Sequence, residues 1–125
     1  CGGFTEDAAE LIMGGPMMGT AQAHMDTPVL KGTSGIVVLN HAEASPKETM
    51  PCIQCGKCLD ACPVFLDPQH LGALAKNLEY DEMMNFHLPT CMLCGCCSYA
   101  CPSGIPLSHL FTLSKVTLRG QGVRV

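Results

Sequence analysis

Apolar residues in the second half of the chain recur at helical spacing. Leu71, Leu74, Ala75 and Leu78 fall at i, i+3, i+4 and i+7, which predicts one apolar face of a helix. Asp67 is placed to cap it, with Pro68 at the first helical position, where a missing N–H leaves nothing unsatisfied. Asp81-Glu-Met-Met-Asn-Phe86 predicts a second short helix. After Cys101-Pro-Ser-Gly, Pro106 opens another, with Leu107, Leu110, Phe111 and Ser114 at the same spacing. The first half reads differently. Thr5, followed by Asp7-Ala-Ala-Glu-Leu-Ile-Met13, predicts a cap and a short helical turn. Gly14-Gly-Pro-Met-Met-Gly19 and Lys31-Gly-Thr-Ser-Gly35 are turns by composition. Asp26-Thr-Pro-Val-Leu30 is extended, because the residue before a proline is pushed out of the helical region. Ile36-Val-Val-Leu39 is the best strand, with three β-branched residues in four, and no partner for it is visible. Residues 40–51 form a polar connector and residues 120–125 a tail.

Composition narrows the picture. The hydrophobic fraction is inflated by ten cysteines and eight methionines, tryptophan is absent, and aromatic residues are few. An ordinary core is not expected, so bound metal should supply much of the folding free energy. A net charge of −4 leaves no basic footprint for nucleic acid. No run of 18 apolar residues is present, so no transmembrane segment is expected. Thiols on this scale point to a reducing, cytoplasmic compartment. An abrupt start at Cys1 reads as a fragment of a longer protein.

The cysteines carry the chemistry. Cys52-Ile-Gln-Cys55-Gly-Lys-Cys58-Leu-Asp-Ala-Cys62-Pro63 and Cys91-Met-Leu-Cys94-Gly-Cys96-Cys97-Ser-Tyr-Ala-Cys101-Pro102 share the spacing C-x2-C-x2-C-x3-C-P, the bacterial iron–sulfur run. Three cysteines at i, i+3 and i+6 let a short loop curl around a cubane. Gly56 and Gly95 sit at the same place in each run, where a residue without Cβ lets the backbone take positive φ and its N–H approach a cluster sulfur. Pro63 and Pro102 turn the chain away after the fourth cysteine. That fourth cysteine points away from its own loop, and in two-cluster ferredoxins it ligates the other cluster. The expected sets are Cys52, Cys55, Cys58 and Cys101 for one [4Fe–4S] cluster, and Cys62, Cys91, Cys94 and Cys97 for the other.

Zinc is the main competitor, but zinc sites usually pair two C-x2-C knuckles across a long loop. A disulfide framework suits a secreted chain, and no signal peptide is visible. Cys96 falls outside the register and reads as a small buried thiol. Cys1 reads as unliganded. His24, His41, His70, His87 and His109 have no motif partner and read as surface or helix residues. The methionine pairs Met17-Met18 and Met83-Met84 read as structural or interface residues. Lys57 and Asp60 read as solvated loop charges.

Three stretches together give a more specific resemblance: Gly14-Gly-Pro-Met-Met-Gly19, Asp26 to Leu39 with its Lys31-Gly-Thr-Ser-Gly35, and Pro51-Cys-Ile-Gln-Cys-Gly-Lys-Cys58. They resemble the C subunit of the Rnf electron-transport complex, and the likeness continues through Cys101-Pro-Ser-Gly-Ile-Pro106. That family couples electron exchange between ferredoxin and NAD to ion movement across the bacterial membrane. The resemblance implies a mainly α fold: a helical dicluster [4Fe–4S] ferredoxin domain over 51–119, preceded over 1–50 by the remnant of a β-grasp region. It implies a peripheral subunit on the cytoplasmic face of the bacterial cell membrane, partnered by a ferredoxin-like subunit and membrane subunits. FMN and NADH would bind only in an upstream part missing from this sequence. The fragment would be an electron-transfer module, and the full complex a ferredoxin:NAD oxidoreductase. A cobalamin-reductase subunit shares much of this architecture, and a structural zinc module is the non-redox alternative. A free soluble ferredoxin conflicts with the β segment.

Overall fold

The computed structural model describes residues 2–45 and 48–124, so Cys1, part of the polar connector and the last tail residue lie outside it. The chain divides into two compact units, Cys1–Lys47 and Glu48–Val125.

The first unit is a three-stranded antiparallel sheet. β1 (Ala8–Met13) lies between β2 (Thr20–Gln22) and β3 (Ile36–Asn40). Met13 pairs with Ile36 and Leu11 with Val38, with an irregularity between Ala8 and Glu10. The helical turn expected over Asp7–Met13 is therefore wrong. Ala, Glu, Leu and Met favour helix locally, but here they supply the strand that the β-branched run at 36–39 requires, and pairing overrides propensity. The Gly14–Gly19 turn is tight: Gly19 donates its N–H to the Gly15 carbonyl at 2.7 Å. A Cβ on Gly19 would strike that carbonyl and the Ile12 side chain. Among the described residues of this unit only Ile12 is buried.

The second unit is helical: α1 (Lys57–Asp60), α2 (Pro68–Lys76), α3 (Tyr80–Asn85), a 3₁₀ turn (Leu88–Thr90), α4 (Cys96–Ala100) and α5 (Leu107–Gly120). Asp67 caps α2 as expected, accepting the His70 N–H at 2.9 Å. Leu71, Leu74 and Ala75 face inward, and so do Leu107, Phe111, Ser114 and Leu118 of α5. Met83, Leu88, Cys97 and Ile105 complete this core. Leu78 departs from the predicted face. α2 stops at Lys76, and Leu78 takes φ 61 and lies exposed.

Candidate metal centre

Each cysteine motif folds the same way, and the likeness extends far beyond the cysteines. Cys52 and Cys91 lie 39 positions apart, and this offset maps one half of the unit onto the other. Gln54 and Leu93 both have φ 56, and Gly56 and Gly95 have φ 76 and 81. These left-handed positions turn the loop back and start α1 and α4, with the glycines as N-caps. The Leu59 carbonyl accepts from Cys62 N–H, and the Ser98 carbonyl from Cys101 N–H. After the proline, Phe65 and Gly104 both take positive φ. α2 and α5 then begin at equivalent positions, Pro68 and Leu107.

The eight motif cysteines meet in two places. Cys52, Cys55, Cys58 and Cys101 line a cavity of about 420 Å³, walled by Gly72, Lys76, Ile105 and Leu107. Cys62, Cys91, Cys94 and Cys97 line a second, far tighter one of about 20 Å³, with Pro68, Leu93 and Phe111. Each group takes three thiols from one motif and one from the other. The two cavities differ in lining at an equivalent position of the repeat. Gly72 on α2, against which the Leu107 side chain packs, is matched on α5 by Phe111, a fully buried ring that lines the tighter cavity.

Electrostatics follows the same grouping. Burial pushes the Cys58 thiol up, and Cys101 and Cys52 add to the shift. Burial also raises Cys91, with smaller contributions from Cys94 and Cys62, and pushes Cys97 up to about 11. Backbone N–H groups work in the opposite sense: Leu59 at Cys58, Leu93 at Cys91 and Ser98 at Cys97 each favour the thiolate. The Leu66 N–H reaches the Cys62 sulfur at 3.3 Å. Such sites hold thiols reluctantly as free anions and readily as ligands of a cation.

The donor set fits an iron–sulfur cluster better than a single ion. Among the described residues, no three His, Cys, Asp or Glu side chains converge tightly enough for one metal ion. Tetrahedral zinc at ~2.3 Å from each sulfur draws four thiolates close together, whereas a cubane is held by thiolates at its corners, across its body. The first cavity has the room. The second brings its four cysteines around a much smaller space.

Cys96 begins α4 beside this second group but lines neither cavity. It is half-buried rather than buried, and a hydrogen bond with the Cys94 side chain, then burial, raises its thiol. The five histidines are exposed, with His70 against Phe86 at 4.3 Å between ring centres and at the first cavity's wall. Met83 is core, while Met17 and Met18 are exposed. Sequence reasoning passed over Lys115. It lies on α5, is 6% exposed, and donates from Nζ to the carbonyls of Pro89 and Cys91 at 3.1 and 2.7 Å. Burial lowers its pKa, and Cys91 opposes that shift. Lys115 follows Lys76 by the same 39 positions as the cysteines, but Lys76 is exposed, so the offset alone does not signal burial.

Residues 51–105 match the family model described as a 4Fe-4S dicluster domain. Fold and cysteine pattern thus define a mainly α, ferredoxin-type iron–sulfur domain with a short β segment before it. The more particular resemblance is to the C subunits of ion-translocating oxidoreductase complexes. The chain is 45% identical over 82 residues to the C subunit of the proton-translocating ferredoxin:NAD(+) oxidoreductase complex of Clostridium ljungdahlii, covering 66% of this chain and 18% of that protein. It is 52% identical over 73 residues to the C subunit of the ion-translocating oxidoreductase complex of Rhodobacter capsulatus, covering 58% and 14%. The Na(+)-translocating counterpart from Acetobacterium woodii is 42% identical over 82 residues, covering 66% and 18%. The chain therefore matches less than a fifth of the length of these curated relatives.

Proposed function

We propose that the unit Glu48–Val125 binds two [4Fe–4S] clusters and passes electrons between them. Cys52, Cys55, Cys58 and Cys101 would hold the first, and Cys62, Cys91, Cys94 and Cys97 the second. One observation carries this reading: eight thiols divide four and four between two cavities, each borrowing its fourth from the other motif. A bound cluster supplies one-electron chemistry. The chain supplies thiolate ligands, N–H groups aimed at sulfur, and apolar side chains such as Leu93 and Phe111 around the second site, each a recognised control on cluster potential.

The relatives extend the proposal. The chain would serve within the C subunit of an ion-translocating ferredoxin:NAD oxidoreductase complex. It would sit peripherally on the cytoplasmic face of the bacterial membrane, with ferredoxin-like and membrane-embedded subunits as partners. FMN and NADH would bind in a part of such a protein outside these residues. The first unit would belong to a β-grasp region. Its exposed Ile36 and Val38, two apart on β3, favour a sheet face covered by further structure. Among the described residues no helix is long and apolar enough to cross a membrane.

Metal and sulfide analysis of anaerobically prepared protein tests the proposal. About eight irons and about eight labile sulfides per chain are expected for two cubanes. Stoichiometric zinc with negligible sulfide would overturn it.

A further inference from the structure

The two halves of the repeat each carry a lysine at the same place, in unlike surroundings. Lys76 on α2 is exposed at the wall of the first cavity. Lys115 on α5 is buried, and its ammonium meets the Pro89 and Cys91 carbonyls. The charged groups that bear on it are Cys91 and Arg119. Carbonyl dipoles replace lost hydration only in part, so a buried ammonium calls for an opposite charge nearby. Cys91, whose carbonyl it holds, is one of the four thiols of the second cavity. A cubane ligated by four thiolates is anionic and gains further negative charge on reduction. Buried charge acts on it with little screening, whereas a solvated lysine is screened by water and salt.

We propose that Lys115 is a positioning residue whose positive charge makes the second cluster easier to reduce than it would be without it. The inference rests on the ligand sets proposed above. The step is the uptake of a single electron by the second cluster from a low-potential one-electron donor, which is oxidised as the cluster is reduced. No bond forms or breaks, and no proton moves. Lys115 contributes a fixed positive charge beside the accepting site and a clamp on the 89–91 backbone. Lys76, at the solvent edge of the other site, offers no equivalent.

An anaerobic redox titration of the reconstituted chain, read by electron paramagnetic resonance, tests this. The second cluster's signal is identified by its loss in Cys91→Ala. Lys115→Gln removes the charge and keeps an amide able to donate to the carbonyls. It is expected to weaken reduction of the second cluster about tenfold, ~59 mV for one electron, and to leave the first essentially unmoved. Lys115→Arg should titrate like the parent, and Lys76→Gln should shift the first cluster by much less than Lys115→Gln shifts the second. The proposal is overturned if Lys115→Gln titrates like the parent, or if Lys76→Gln produces an equal shift. Should Lys115→Gln fail to retain the second cluster, Lys115→Arg decides. Parental titration supports the charge, and a tenfold loss despite the retained charge overturns it. A parent chain lacking iron and sulfide would instead sink the ligand assignment itself, and the two failures are distinguishable.

Discussion

Leu78 sits where a helix most often ends in glycine. Its N–H bonds the Ala75 carbonyl and the Glu79 N–H bonds that of Leu74, the paired pattern of a left-handed helix stop. α5 ends identically, with Gly122 at φ 83 and Val123 packed on the core. A Cβ in that conformation costs roughly 1–2 kcal/mol, and Leu78 is exposed, so little burial offsets it. Leu78→Gly should stabilise the chain by about 1 kcal/mol, read as a raised midpoint in chemical unfolding. A lowered midpoint would contradict the assignment. Apolar periodicity counted Leu78 as one more turn of helix, because spacing alone cannot report where the backbone leaves the helical region. The eight motif cysteines were legible because their spacing is dictated by the group they would surround. Lys115 was not, since a lysine on an amphipathic helix ordinarily reaches water.

The elements show a similar division. α2, α3 and α5 were legible from caps and periodicity, and β3 from its β-branched run. β1 was not, because its residues favour helix and its identity as a strand depends on a partner more than twenty residues away. α1 and α4 are only four and five residues long, too short for any pattern to announce. What they do is aim the fourth cysteine of each motif. Leu59 and Ser98 anchor Cys62 and Cys101 through backbone hydrogen bonds, and each sulfur reaches the cavity of the other motif. Substituting these cysteines tests the exchange. Cys62→Ser should perturb the cluster assigned to Cys91, Cys94 and Cys97, and Cys101→Ser the one assigned to Cys52, Cys55 and Cys58. Spectra of the reconstituted variants distinguish this from an arrangement in which each serine damages only its own motif's cluster.

Across the whole molecule, the division into two units separates a thin sheet from a cysteine-rich helical core. All eight motif cysteines and the residues walling both cavities belong to Glu48–Val125. A chain beginning at Glu48 should therefore bind as much iron and sulfide as the longer one, with the same visible absorption. Iron content reduced by half or more would show that the first unit contributes to the sites. The exchange of fourth cysteines between the motifs also imposes an order on biosynthesis. A nascent chain that has emerged only as far as Thr90 presents three thiols of the first ring and one of the second. The second ring closes with Cys97, the first only with Cys101, so the earliest motif cysteine to leave the ribosome waits for the latest. Through that interval the thiols are exposed to oxidants and stray metals, and a product stalled or truncated before Cys97 has neither ring complete.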